Sequence, residues 1–385
     1  MSPSSSMPPP LPADFDPGAL RPHELWWRDN YEWIKQQGYL LRSRYSPGWI
    51  PSWRGTGNTL NFQFADGIPA RYSINDGTRI SDERFVSFKR CPTSSHAQEI
   101  SIFKYLTEGD IAKEKENHCV PVYELLNPPG DPEVVLFVMP LGRSPFDPQF
   151  QTVGEVVYFL RQMLEGLRFM HGLDIAHADC CANNMIMDAR EMYPEGYHPL
   201  RQHLTRDFKG PATPRYSRTE KPPSYYLIDF GVSVKFEPSE PRLTIHIAGG
   251  DKSVPEHLKD PERMAMFDPF AIDVYTMGNM IRQQFIEGNP KNLKNVPGMR
   301  RLEFLNDLIF DMVDEDPDPG KRPAMTEVFE RFIQIESKLS WWKLRTRPVY
   351  RTETSSKITF WRDIKHVIWT MGLILRRIPA VPPRQ

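Results

Sequence analysis

Two short stretches carry most of the chemistry open to this sequence: His177, Ala178, Asp179, Cys180, Cys181, Ala182, Asn183 and Asn184, and far downstream Asp229, Phe230 and Gly231. An aspartate able to meet a hydroxyl, an asparagine five residues later and a second aspartate after an apolar run are the groups that phosphoryl transfer from Mg-ATP requires. Such transfer is mostly positioning and charge neutralisation. It needs a cation on the phosphates, oxygen ligands on the metal and an acceptor for the nucleophile's proton. Lys89 is the candidate cation, with Glu99 placed to pair with it. Asn184 and Asp229 are candidate magnesium ligands, since oxygen donors suit a hard cation, and Asp179 is the candidate to orient the incoming hydroxyl. Each residue alone has an ordinary explanation as a surface charge or turn residue; their order along the chain is what points to this chemistry.

The elements that must position these groups are legible from pattern. The run from Thr78 to Cys91 reads as two short strands joined by a turn at Ser81 to Arg84, with Phe85, Val86 and Phe88 leading to Lys89 at the strand's end. Ser95 and Gln98 form a potential capping box opening a helix that carries Glu99, Ile100, Phe103 and Leu106. Val134 to Leu141 is a continuous apolar run suited to a buried strand ending at Pro140 and connecting two lobes. Thr152 and Glu155 form a second capping box, followed by Val156, Leu160, Met163, Leu167 and Met170 at helical spacing. That helix delivers the chain to the His177 loop, after which Met185 to Met187 and Tyr225 to Ile228 read as strands, the latter holding Asp229 at its end. Residues 188 to 224 lack a sustained apolar period and read as an inserted, surface-lying loop, with Arg215 to Arg218 as an alternative docking or autophosphorylation segment. A helix through Ile272, Tyr275, Met277, Met280 and Ile281 and a further helical region ending near Ser340 complete the pattern.

Bulk composition sets the frame. With 385 residues, 39% hydrophobic and 25% charged, the chain can bury one large or two moderate cores. Its 38 prolines gather in the N-terminal tail, the central insert and the C-terminus, so residues 1–22 are expected to be a disordered tail without signal-peptide character. Residues 23–69 are so aromatic, with Trp26, Trp27, Tyr31, Trp33, Tyr39, Tyr45, Trp49 and Trp53, that they must pack on the first lobe. A net charge of −1 gives no reason to expect a nucleic-acid partner. The four cysteines show neither disulfide nor zinc spacing, which implies a reducing, cytoplasmic setting; vicinal Cys180 and Cys181 read as buried packing residues. No apolar run reaches the length of a membrane span, and nothing fixes an oligomeric state.

Taken in order, these motifs resemble a eukaryotic-type protein kinase catalytic domain over about residues 70 to 340, with a softer similarity to fungal protein-kinase-like proteins. The matching residues are Lys89, Glu99, His177 with Asp179 and Asn184, Asp229 to Gly231, Pro255 with Glu256, and Asp273 followed by Gly278. The resemblance implies an α+β, bilobal fold with a small antiparallel-sheet N-lobe and a mostly helical C-lobe. It implies ATP and Mg2+ as cofactors, a protein substrate, serine or threonine as acceptor, and a pairing of Glu256 with Arg322. In that reading Asp179, Lys89, Asn184 and Asp229 are catalytic; Lys89, Glu99, Asn184 and Asp229 bind the nucleotide, and Asn184 and Asp229 hold the metal.

Departures from the family pattern keep a pseudokinase scaffold as the alternative. No GxGxxG precedes Lys89; the nearest glycines, Gly67 and Gly77, are isolated. Ala178 stands where many kinases place an arginine that clamps a phosphorylated activation loop, and Cys181 where serine/threonine kinases carry a phosphate-steadying lysine. A small-molecule kinase, as in the aminoglycoside and choline families, is a third reading, opposed by Pro255-Glu256, Asp273 and Arg322.

Residues 341–385 form a basic, aromatic end in which ten Lys or Arg against two acidic residues give +8. Trp361, Ile364, Ile368, Met371 and Leu375 recur at helical spacing, so residues 358–377 are expected to form an amphipathic helix. It could dock on the second lobe or lie peripherally on a membrane.

Overall fold

A computed structural model describes residues 16, 18–57, 60–239, 241–245, 251, 253–259, 266–289, 296–316 and 318–382. The tail expected over 1–22 falls mostly outside them. The protein is α+β. Its N-terminal part runs α1 (Pro22–Asp29), α2 (Tyr31–Gln36), β1 (Tyr39–Leu41), β2 (Ile74–Arg79), β3 (Phe85–Pro92), α3 (Thr93–Thr107), β4 (Glu124–Leu126) and β5 (Val134–Pro140). The strands make one antiparallel sheet in the order β1-β2-β3-β5-β4.

The first strand comes from inside the aromatic block, so residues 23–69 contribute to the sheet as well as covering it. Tyr39 and Leu41 point inward and Leu40 outward, the alternation of a half-buried edge. Leu41 lies opposite Gly77, where a Cβ would meet Leu40 O and the Phe88 ring at 2.8 Å; only glycine admits so close a neighbour. β3 continues three residues past Lys89 because Arg90, Cys91 and Pro92 still pair with β5. Lys89 therefore sits within the strand and not at its end.

Both faces of the sheet are covered, which is why β5 is apolar throughout and fully buried. On one face Trp27, Tyr31 and Ile34 from α1 and α2 pack with Tyr39, Phe88, Leu136 and Val138. Each of these large side chains removed from water stabilises the fold by roughly 2 kcal/mol. A buried Glu24–Arg44 pair, Nε–Oε1 2.7 Å and Nη2–Oε2 2.9 Å, ties the segment after β1 to α1, and the Tyr45 hydroxyl donates to the same carboxylate at 3.0 Å.

On the other face α3 packs through Phe103, whose ring lies 4.7 Å from that of Phe137. The helix begins two residues earlier than its sequence signal. Thr93 N donates to Glu133 O at 2.8 Å directly after β3 ends, and the chain kinks at His96. The expected Ser95/Gln98 capping box does not form. Ser95 Oγ instead meets His96 Nδ1 at 2.7 Å, and Gln98 donates to Ser233 O at 3.0 Å.

The core continues without a break from this face into the helical part. There follow α4 (Val153–Gly172), β6 (Ile175–Ala176), β7 (Met185–Met187), β8 (Tyr225–Leu227), β9 (Val234–Lys235), α5 (Pro255–Lys259), α6 (Pro269–Ile281), α7 (Asn306–Met312), α8 (Met325–Ser337), α9 (Trp341–Arg345) and α10 (Ser356–Leu375). Thr152 caps α4 by accepting from Glu155 N at 3.0 Å. Glu155 turns its carboxylate to Gln151 N (2.7 Å) and to Thr219 N and Oγ1 (3.0 and 2.8 Å) instead of closing the box on the cap amide.

That contact belongs to a correction. Residues 188–224 are not a loop lying on the surface: Ala189, Met192, Tyr193 and Tyr197 join the main core. Buried Arg143 lies over the rings of Tyr193 and Tyr197, 4.5 and 4.9 Å from their centres. Arg218 is buried and donates to Pro145 O and Gln149 O, and Ser217 Oγ donates to Glu220, so the Arg215–Arg218 stretch is largely engaged within the fold. These apolar residues fit no regular period, so periodicity could not show that they were buried.

The C-terminal segment also packs on α4: Val153 N donates to Thr346 O at 2.8 Å, and Arg161 Nη1 to Pro382 O at 3.2 Å. Among the described residues no helix is long and apolar enough to cross a membrane.

Candidate active site

Lys89 projects from the middle of β3 on the face shared, by the two-residue strand period, with Phe85, Ser87 and Cys91. Glu99, only 2% exposed, rises from α3 to pair with its ammonium. On the other side Lys89 Nζ reaches Asp229 Oδ1 at 3.0 Å, and that carboxylate is 55% exposed. Burial disfavours the Lys89 cation, but the charges of Glu99 and Asp229 outweigh it and hold the lysine above its ordinary value. For Asp229 burial pushes upward, and the neighbouring Lys89 charge overrides this and holds the carboxyl below the usual range.

Asp229 is presented with φ +67°, a left-handed conformation costly for a non-glycine residue. Its surroundings fix it. Ile228 N donates to Asn184 O at 3.0 Å and His177 Nε2 donates to Ile228 O at 3.1 Å. Phe230 is fully buried, 5.0 Å from Phe103 and 5.5 Å from His177, so the rings of His177, Phe230, Phe103 and Phe137 run in contact from the helical part to the sheet.

The second strained residue is Ala178, φ +62°, in the loop leaving β6. The turn there aims two successive amides at one carboxylate: His177 N and Ala178 N donate to the two oxygens of buried Asp273 at 2.7 Å each, and His171 Nε2 adds a third contact at 3.0 Å. A helix residue thus holds the loop in shape from below. Asp179 N donates to His177 Nδ1 at 3.3 Å, so the two ring contacts together use the tautomer that carries its proton on Nε2. Asn184 Nδ2 donates to Asp179 Oδ2 at 2.7 Å and to Asp179 O at 3.0 Å.

All five sequence-predicted site residues therefore converge. Lys89, Glu99 and Asp229 form one cluster, Asp179 and Asn184 another, and the Asn184 backbone joins them through Ile228. With its amide nitrogen committed to Asp179, Asn184 has its side-chain oxygen left for a cation. A half-exposed carboxylate and an amide oxygen fit Mg2+, which takes few protein ligands and completes its shell with phosphate and water oxygens.

Other expected contacts also appear. Arg322 forms a buried bidentate pair with Glu256, Nη1–Oε1 2.5 Å and Nη2–Oε2 3.1 Å. Cys180 is buried and its thiol is pushed well up by burial, and Cys181 is pushed up to about 11, again chiefly by burial, so both thiols are neutral packing groups near pH 7.

In place of a short glycine loop, β1 and β2 are joined by residues 42–73, which pack against α1 and the insert. Sequence reasoning missed the cluster this creates. Asp76, opposite Ser87 and on the same face as Lys89, is buried with Arg42 Nε 2.9 Å and Arg206 Nη2 3.8 Å away. His198 Nε2 donates to Ala65 O at 3.1 Å beside it. The signal available was a charged residue at an inward position of a period-two strand. Comparison of the chain with family models and with curated proteins finds no match.

Proposed function

We propose that the protein is an ATP-dependent protein kinase of bilobal architecture, with the sheet as N-lobe and the helical part as C-lobe, transferring the γ-phosphoryl group to a serine or threonine hydroxyl. The observation that supports this best is Lys89 held between Glu99 and Asp229 while Asn184 ties Asp179 to the Asp229 strand. In this reading Lys89 steadies the nucleotide phosphates and Glu99 fixes its direction. Asp229 and Asn184 hold Mg2+, and Asp179 receives the hydroxyl of the acceptor and takes its proton. The neutral Cys181 supplies no positive charge to the transferred group, which costs a few kcal/mol of barrier on the scale of a lost oxyanion contact. A slow enzyme is expected. Four free cysteines suit a reducing compartment such as the cytoplasm.

The pseudokinase reading is favoured by a different observation: the long β1–β2 connection, and Arg42, Asp76 and Arg206 on the Lys89 face of the sheet. Thermal stabilisation by Mg-ATP, with phosphate transfer to the protein itself and to generic substrates, separates the two. Wild type is expected to be stabilised and to transfer phosphate, with Asp179→Asn and Asp229→Asn reduced at least about a hundredfold. Wild-type transfer no greater than that of the variants would sink the enzyme reading.

A further inference from the structure

The C-terminal helix α10 is turned the opposite way from a helix that closes a core. It contacts the protein through Asp363, His366, Thr370 and Leu373, a face of mixed and largely polar residues. Asp363 pairs with Arg301 (2.5 Å) and Arg347 (3.1 Å), and His366 Nε2 meets Arg345 O at 2.7 Å. The opposite face, Phe360, Trp361, Ile368, Met371 and Leu375, points to solvent, with Trp361 63%, Ile368 68% and Leu375 80% exposed. Contiguous apolar faces of this size on a soluble protein mark an interaction site.

We propose that this outward face of α10 seats the protein on the surface of an anionic lipid bilayer. Twenty residues of helix make a rod about 30 Å long whose apolar stripe is continuous from end to end. At 100° per residue Lys365 falls on one border of the stripe and Lys357 at its N-terminal end, both exposed, while Arg376 beside Lys365 pairs with Glu220 and Arg362, nearer the docked face, pairs with Glu353. Trp342, exposed beside Val367 and Met371 across a shallow cavity, widens the aromatic rim. Aromatic rings with basic flanks are the composition that enters the headgroup layer of an anionic leaflet. A second copy of the chain fits less well, because an antiparallel two-fold contact through the stripe would set mid-helix Lys365 against its own copy. The proposal is independent of phosphoryl transfer.

Full-length protein incubated with phosphatidylcholine vesicles, with and without phosphatidylserine, tests it by co-sedimentation. Retention is expected only on the serine-lipid vesicles, falling as salt rises. The exposed-face variant Ile368→Asp/Leu375→Asp is expected to lose at least about tenfold in retention, and Lys365→Glu several-fold, while thermal unfolding of both matches wild type. Absence of wild-type retention, or equal retention of the Ile368→Asp/Leu375→Asp variant, overturns the proposal. So does a wild-type dimer in light scattering that Ile368→Asp converts to monomer, which assigns the face to a second copy.

Discussion

Lys89 Nζ and Asp229 Oδ1 lie 3.0 Å apart although 140 residues separate them, and the contact joins the centre of the sheet to the turn that follows β8 in the helical part. The same ammonium pairs with Glu99 on α3, so three elements meet on one cation. Its charge is what the burial of Glu99 depends on.

Removing that cation strands Glu99 in the interior. Lys89→Met is expected to destabilise the protein by about 3 kcal/mol, the scale for breaking one side of a buried pair. The double variant Lys89→Met/Glu99→Gln should recover most of the loss, as read from urea unfolding midpoints. Equal midpoints for the single and double variants would show that Glu99 is not held by the lysine.

His198 supplies an acid-sensitive joint between the insert and the β1–β2 connection. Its Nε2 donates to Ala65 O, and its Nδ1 accepts from Leu200 N (3.3 Å) and Arg201 N (3.2 Å), so only the neutral ring satisfies all three contacts. Burial, aided by the charge of Arg42, lowers its pKa to about 4, below the ordinary histidine value. The unfolded chain therefore binds the proton first. Stability is complete above about pH 6.5, falls as pH drops through the interval to about 4, and loses on the order of 3 kcal/mol there from this group. Unfolding free energy measured across that interval should decline less steeply in His198→Gln than in wild type.

Glu256 and Arg322 are both buried, and Arg322 also donates to Asp314 O (2.9 Å) and Ala271 O (3.0 Å). Arg322→Met leaves a carboxylate without its counter-charge and frees two carbonyls. A loss of about 4 kcal/mol is expected, against a smaller loss for the double variant with Glu256→Gln. Differential scanning calorimetry of the single and double variants checks the order.

Much of the candidate site was legible because its residues have distinctive types at the ends of patterned elements. The apolar run of β5, the α4 periodicity from Val156 to Met170, and the strand before Asp229 each place a known residue at a known end. Local pattern said less about where an element starts. The Ser95/Gln98 signal lost to the hydrogen bond from Thr93 to Glu133, a contact between residues distant in sequence. It placed residues 188–224 on the surface, although Met192, Tyr193 and Tyr197 are buried there without a period.

The sequence by itself determined which chemical groups are present and their order: a lysine strand, an acidic helix, an Asp179–Asn184 loop, a strand ending in Asp229, and an amphipathic basic helix at the end. Only the tertiary structure decided that Tyr39–Leu41 is the sheet's first strand, that Asp273 shapes the loop around a left-handed Ala178, and that Asp76 lies buried beside two arginines. It also decided that α10 docks by its polar face and leaves the apolar one outside. The physical reason is that periodicity reports which face of an element is apolar, whereas the partner of that face is chosen by contacts between residues far apart in the chain.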